Sequence, residues 1–373
     1  MVNNKFLKKS TYISSLNHKL KKNDIRYQIP QLERIILYVT SLCNAKCLMC
    51  DIGIGSGTGI DRFIQNDERN LDLKLLDKIL LDLKKSGKKI SFNILMTEPL
   101  LHPDIGVIVN KISSDGHVVR MTTNGQLLPK KYRELVDNGI SSIQVSLDGP
   151  LDLHNKIRRI KNFDKAIEGI RLIKSANPQV GVSINCTITN LNYNRLSELA
   201  FTLGTSGVCI DVLKFQFMDF VSSDMANNQK LCEPELLQSE SIISDDVSPE
   251  KIDVKILHHE LVKIKKMKFD NITSIKVIPD IIDENKLGSY FSLEGKEMEY
   301  YNFCTLPYKQ IAIKTDGSVI YHMRCFDIDL GNVNNTSVMD IFNGHKAKEF
   351  RDKLNNSNFC MPACTRCCGV NFR

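Results

Sequence analysis

Cys43, Cys47 and Cys50 follow directly on the apolar run 35–39, inside Tyr38-Val-Thr-Ser-Leu-Cys-Asn-Ala-Lys-Cys-Leu-Met-Cys50. Three thiolates on one loop fall one ligand short of a closed four-ligand site, and a cubane iron left with an open position can bind and activate another molecule. A structural zinc ion completed by a distant fourth ligand is the competing reading of these residues alone. A second group lies in the tail: six of the twelve cysteines, Cys304, Cys325, Cys360, Cys364, Cys367 and Cys368, come after residue 300. In a chain without a secretory signal, so many cysteines argue for metal or redox chemistry and against a disulfide framework. Cys186 and Cys209 fall in apolar runs and read as small core residues.

The polar residues that would serve such a centre come at the ends of apolar runs. Glu98-Pro99 follows 89–95, Thr122-Thr-Asn-Gly125 follows 117–121, and Ser146-Leu-Asp-Gly-Pro150 closes 142–147. Asn124-Gly125 signals a turn in which the glycine takes a left-handed conformation. Asn185 and Thr187 stand two apart in 180–188 and so share a strand face; such residues either meet a ligand or satisfy core hydrogen bonds, and the pattern leaves both open.

The elements that must position these groups form a βα series. Strands are predicted over 35–40, 89–95, 117–121, 142–147, 180–188 and 208–215, and helices over 71–85, 105–113, 130–138, 162–175 and 193–203, where Leu, Ile and Val recur at helical spacing. Six such units form an open or partial barrel; a doubly wound sheet or an eight-stranded barrel answers the same pattern. In all of them ligands lie at the carboxyl edge of the strands, where these motifs fall. Beyond 215 the periodicity weakens. Residues 222–253 read as an extended loop or lid, followed by a helix over 255–268 and a strand over 274–278.

At 373 residues the chain calls for one large domain with a smaller appendage. No apolar run reaches membrane-spanning length and the N-terminus lacks the apolar segment of a secretory signal, so a cytoplasmic location is expected and a membrane partner is not. The net charge of +7 is scattered without a basic and aromatic stripe, which does not point to nucleic acid and equally suits an anionic small molecule.

The C-x3-C-x2-C spacing of Cys43, Cys47 and Cys50 resembles that of the radical S-adenosylmethionine (SAM) superfamily. The resemblance implies a six-stranded (β/α)6 partial TIM-like barrel and a [4Fe-4S] cluster whose fourth iron chelates SAM. One-electron reduction, from a partner such as flavodoxin or ferredoxin, then yields a 5'-deoxyadenosyl radical that abstracts a substrate hydrogen. It further implies that Glu98, in a loop where relatives have Gly-Gly-Glu-Pro and this chain has Met96-Thr97-Glu98-Pro99, meets SAM's amino group. Arg158 would grip the carboxylate, Ser146 and Asn124 would face SAM, Asn185 would touch ribose or substrate, and Met49 would pack near adenine.

The tail, with an Asp-Gly hairpin signal near 311–320, Leu330-Gly-Asn, Ile341-Phe-Asn and a helix near 338–354, resembles the SPASM or shorter twitch extension of these enzymes. That implies one auxiliary [4Fe-4S] cluster on Cys304, Cys325, Cys364 and Cys367, with Cys360, Cys368 and His322 as the remaining donors and four-thiolate zinc as the competitor. The resulting organisation is a lead-in over 1–32, the barrel over 33–220, a linker or lid with a helical bridge over 221–299, and the auxiliary domain over 300–373. The expected substrate is a small polar, carbohydrate-like biosynthetic intermediate undergoing oxidation or epimerisation. The second reading is a ribosomally made peptide or protein side chain, disfavoured because no long leader-recognition module precedes the barrel.

Overall fold

The computed structural model describes residues 29–50, 70–233, 235–236, 247–293, 304–321, 326, 328–357 and 361–367. Its strands are β1 Arg34–Leu37, β2 Ser91–Ile94, β3 Val118–Thr123, β4 Ser142–Ser146, β5 Gly181–Ile188, β6 Ile210–Phe217, β7 Ile272–Ile278, β8 Gln310–Ile313, β9 Ser318–Ile320 and β10 Asp329–Asn332. The helices are α1 Leu73–Ser86, α2 Ile105–Ser114, α3 Leu128–Val136, α4 Leu151–Arg158, α5 Phe163–Ala176, α6 Leu196–Gly204, α7 Ser223–Cys232, α8 Val254–Lys266, α9 Glu284–Phe291, α10 Leu306–Lys309, α11 Val338–Asn343 and α12 His345–Asn356.

Local chemistry sets the ends of these elements. Asp72 caps α1 by accepting from the Lys74 N–H at 2.9 Å, and Gly87 ends it with φ 65° and an N–H donated to Lys84 O. Leu75, Leu76, Ile79, Leu80 and Leu83 form the stripe that α1 buries. Strand β5 alternates strictly, with Val182, Ile184, Cys186 and Ile188 buried in the layer between sheet and helices, and Ser183, Asn185 and Thr187 on the other face. Two-residue periodicity thus gives β5 an apolar outer face and a polar inner one, whereas Ile36 of β1 and Ala312 of β8 form a small apolar cluster with Tyr38 and Ile320.

The sheet has ten strands in the order β10-β9-β8-β1-β2-β3-β4-β5-β6-β7. Strands β1 to β7 run parallel, as the partial α/β barrel requires, and β7 extends the series past six. At the opposite edge β8 pairs with β1 in parallel, so the C-terminal hairpin β8–β9 and strand β10 continue the same sheet.

The structure departs from the sequence reading at several points, the unpredicted helices α4 and α9 among them. Within 222–253, residues 223–232 are the helix α7: Ser222 caps it through the Met225 N–H, and Met225, Ala226 and Gln229 are buried. Its weak apolar periodicity arises because Gln229 is itself a buried contact, accepting from Ala363 N–H and donating to Met361 Sδ. The helix over 338–354 is two helices, α11 and α12, broken at Gly344, where a Cβ would lie 2.9 Å from Asp340 O. Cys209 is exposed at the approach to β6, whereas Cys186 is buried as expected.

Candidate functional site

At the carboxyl edge of the sheet, the β1 loop carrying Cys43, Cys47 and Cys50 is tied down at several points. Leu48 N–H donates to Ile157 O at 2.9 Å, Glu98 N–H to Leu42 O at 3.1 Å, Thr97 Oγ1 to Thr40 O at 2.6 Å, and Cys50 N–H to Cys47 O at 3.1 Å. Cys47 is buried, Cys43 exposed and Cys50 intermediate, and none forms a disulfide. Burial pushes the Cys47 thiol up to about 11, with Arg158 opposing it, and raises Cys43 as well. Met49 packs against the main core.

Glu98 is fully buried. Its Oε1 accepts from Thr123 Oγ1 at 2.7 Å and from Leu100 N–H at 3.2 Å, and Oε2 accepts from Asn124 N–H at 2.7 Å. Desolvation raises its pKa and these hydrogen bonds offset part of the rise. Met96 adopts φ 104°. Asn124 donates from Nδ2 to Asn44 Oδ1 at 2.7 Å, which reaches back into the cysteine loop. Gly125, at φ 82°, meets the expectation for the turn: a Cβ there would approach Ala166 Cβ to 2.6 Å.

Arg158 lies at the end of α4 with its Nε donating to Asp148 Oδ2 at 2.5 Å and Nη1 pointing to Cys47 Sγ at 3.7 Å. Burial alone would lower the Arg158 pKa; the Asp148 carboxylate and the nearby cysteines outweigh it and raise it. Asp148 is fully buried, accepts from Thr187 N–H through Oδ1 at 3.0 Å, and gives its own N–H to His154 Nδ1 at 3.1 Å. A backbone N–H only donates, so Nδ1 is the acceptor and Nε2 carries the ring proton toward Asn162 Oδ1 at 2.9 Å. Asn162 Nδ2 then donates to Asn124 O at 2.5 Å. Thr187, Asp148, Arg158, His154, Asn162, Asn124, Glu98 and Asn44 therefore form one network joining the ends of β2, β3, β4 and β5 to the cysteine loop.

Sequence reasoning singled out Ser146 and Arg158 from this stretch and passed over Asp148, His154 and Asn162. A signal was present: His154 and Arg158 are four apart on a helix and share a face. Ser146 lies directly opposite Asn185 in the β4–β5 register, and Asn185 Oδ1 is buried with no hydrogen-bond partner. Such an orphan acceptor on the inner face fits a ligand bearing donor groups.

In the tail, Cys304 and Cys364 are buried and Cys367 is half-buried, its N–H donating to Cys364 O at 3.1 Å. The fully buried Arg366 fixes this knuckle to the carboxyl end of α9, donating to Tyr290 O, to Ser289 O at 2.8 Å and to Thr365 O at 2.8 Å. Cys325, Cys360, Cys368 and His322 lie outside the described residues. Among the described residues, no three of His, Cys, Asp and Glu are gathered to share one ion. The donors on the β1 loop are the three thiols of Cys43, Cys47 and Cys50, the ligand type that iron-sulfur clusters take.

Residues 37–203 match the model of the radical SAM superfamily, and residues 304–368 match that of the SPASM iron-sulfur cluster-binding domain. The chain carries a radical SAM domain followed by a SPASM domain. Radical SAM domains bind SAM and a [4Fe-4S] cluster, and SPASM domains bind auxiliary iron-sulfur clusters. The chain is 24% identical over 355 residues to a tungsten-containing aldehyde ferredoxin oxidoreductase cofactor-modifying protein of Pyrococcus furiosus, covering 90% of this chain and 87% of that protein. It is 30% identical over 169 residues to an S-adenosylmethionine-dependent nucleotide dehydratase of Selenomonas ruminantium, 43% of this chain and 57% of that one.

Among solved structures, Streptococcus suis SuiB bound to S-adenosylmethionine superposes with a TM-score of 0.56 at 16% identity over 90% of this chain and 70% of SuiB. Native anSMEcpe with bound AdoMet gives 0.57 at 18% identity over 85% of this chain and 82% of that chain. These radical SAM structures share the fold. No helix among the described residues is long and apolar enough to cross a membrane.

Proposed function

We propose that this radical SAM enzyme holds its SAM-binding [4Fe-4S] cluster on Cys43, Cys47 and Cys50 and one auxiliary [4Fe-4S] cluster on Cys304, Cys325, Cys364 and Cys367. When bound, cluster and SAM supply a 5'-deoxyadenosyl radical for hydrogen abstraction. The chain's own residues orient the cofactor and substrate. Arg158, locked by Asp148, keeps a fixed positive charge beside the Cys47 sulfur and turns its remaining donors toward SAM's carboxylate. Glu98 orders the β3 loop, and its Oε2 retains a second acceptor direction for SAM's amino group. Neutral His154 aligns Asp148 with Asn162, and Met49, Asn124 and Ser146 complete the cofactor side.

The substrate in this reading is a small, polar, carbohydrate-like intermediate that is oxidised or epimerised, with flavodoxin or ferredoxin as the electron donor and a cytoplasmic location. The observation that supports it is the inner face of the sheet, lined by Asn93, Thr122, Gln144, Ser146, Asn185 and Gln216, with the unpartnered Asn185 Oδ1 among them. A lining of amides and hydroxyls suits a hydroxyl-rich molecule. The second reading, a peptide substrate, draws on the solved structure of SuiB bound to its precursor peptide.

Anaerobic reconstitution with SAM, dithionite and candidate substrates, followed by mass measurement, tests both. Loss of two hydrogens marks oxidation, solvent deuterium uptake without loss marks epimerisation, and a modified peptide replaces the first reading with the second. Two cubanes require about eight irons per chain; Cys47→Ala should halve that count and abolish SAM cleavage. A folded Cys47→Ala protein that still cleaves SAM refutes the ligand assignment.

A further inference from the structure

Arg158 makes a contact that gripping SAM's carboxylate does not require: its Nη1 donates to Cys47 Sγ at 3.7 Å. The end of α4 is registered on the cysteine loop at the adjacent residues, because Leu48 N–H donates to Ile157 O at 2.9 Å. The guanidinium is held from its other side, with Nε donating to Asp148 Oδ2 at 2.5 Å. Asp148 is itself fixed: Oδ1 accepts from Thr187 N–H at 3.0 Å, its carbonyl accepts from Asn192 Nδ2 at 2.8 Å, and its N–H donates to His154 Nδ1 at 3.1 Å. Cys47 is 6% exposed and the Arg158 side chain 13%, so water and salt screen this contact little. Cys43, by contrast, is exposed and takes a backbone N–H from Ala45.

We propose that Arg158 sets the reduction potential of the SAM-binding cluster through a charge-assisted hydrogen bond to the Cys47 sulfur, with Asp148 as its positioning residue. The inference rests on the reading that Cys43, Cys47 and Cys50 hold that cluster. Cluster potentials follow net charge, solvent exposure and hydrogen bonds to the sulfurs. Reduction adds one electron and neither forms nor breaks a bond; the flavodoxin- or ferredoxin-type donor loses that electron. An N–H donor and a positive charge at the sulfur stabilise the added negative charge, and do so more strongly in a nearly dry site. Arg158 therefore moves the potential upward, toward what such a donor can reach. Arginine suits the task because it stays protonated and carries several donors in a fixed fork, so that Nε can serve Asp148 and Nη1 can serve Cys47 while Nη2 remains for SAM. The Asp148 carboxylate offsets the net charge of the guanidinium, which leaves the directional N–H···S bond as the distinctive contribution of the pair.

Redox titration of the anaerobically reconstituted full-length protein, poised with dithionite and mediators and followed by electron paramagnetic resonance without SAM, tests the assignment. The signal followed is the one that Cys47→Ala lacks. Arg158→Met should shift its midpoint to a more negative potential by about tenfold or more in the reduction equilibrium, which is about 59 mV for one electron. The double variant Asp148→Asn with Arg158→Met keeps the net charge and strands no buried ion, so it guards against a single variant that fails to fold; its midpoint should shift in the same direction by a smaller amount. In protein carrying nitrogen-isotope-labelled arginine, hyperfine spectroscopy of the reduced wild type should show coupling to an arginine nitrogen, lost in both variants. A midpoint unmoved in both variants, or a wild-type spectrum without that coupling, overturns the proposal. A shift in Arg158→Met with the double variant at the wild-type midpoint would assign the effect to net charge and overturn the hydrogen bond. Retention of every cluster signal in Cys47→Ala would remove the ligand assignment and this inference with it, a result distinct from an unmoved midpoint.

Discussion

Asp148→Asn should damage the site more than any other change that keeps side-chain volume and spares the cysteines. Asp148 is 0% exposed at its side chain and Arg158 13%, so their 2.5 Å contact is a nearly dry ion pair. Asparagine can still accept from Thr187 N–H but turns an N–H2 toward Arg158 Nε, leaving donor against donor. Losing one charge-assisted hydrogen bond costs about 1.5 to 3 kcal/mol. Stranding the buried guanidinium raises the range to about 3 to 5 kcal/mol. A loss near 3 kcal/mol is therefore expected in the first urea unfolding transition of the reduced, iron-free protein, followed by far-UV circular dichroism. Arg158→Met removes the stranded charge, so the double variant should be more stable than the sum of the single losses predicts, by roughly 1.5 kcal/mol or more. Additivity within about 0.5 kcal/mol would show that the two residues do not act as a pair, and the network argument would fall.

At Met96, φ 104° is costly for a side chain, while the side chain itself packs near Ile36 and Tyr38. Met96→Gly should accordingly be more stable than Met96→Ala by about 1 to 2 kcal/mol, the reverse of the usual order, and equal denaturation midpoints would remove the strain argument. Burial lowers the His154 pKa from 6.5 to about 4 despite Asp148 nearby, so the folded protein keeps it neutral while the unfolded chain protonates first. The associated stability is complete above the unfolded value and is lost as pH falls from about 6.5 to about 4, amounting to about 3 kcal/mol. Comparing urea midpoints at pH 7 and pH 5, His154→Gln should show a flatter pH dependence than the parent, and identical slopes would contradict the buried neutral imidazole.

The six predicted parallel strands and five predicted helices of the barrel correspond to β1 to β6, α1 to α3, α5 and α6, with ends shifted by a few residues. They were readable because each strand buries one apolar face and each helix one stripe, which leaves a period in the sequence. Helix α4 left no such mark: only His154 and Ile157 are buried on it, and one of them is polar. For the same reason α7 was hidden, since Gln229 occupies a core position that apolar patterning cannot report. At the site, the cysteine spacing and the turn at Gly125 were legible because they depend on local geometry. The network around Arg158 was not, because its partner Asp148 meets Thr187 of β5, and His154 meets Asn162, only once these strands and helices have been assembled.

That assembly explains why so much polar surface is tolerated at one edge of the sheet. Buried carboxylate, imidazole and amide groups are each expensive when unpaired. Here Glu98 has three donors, Asp148 has donors on both oxygens, and both His154 ring nitrogens are engaged. The buried, unpartnered Asn185 Oδ1 stands on the inner face of the sheet, opposite Ser146 in the register. An edge in which this network is satisfied and an amide oxygen is left unpartnered is organised without a ligand. In the proposed reading, the binding free energy of SAM and substrate is then not spent on ordering the loop ends.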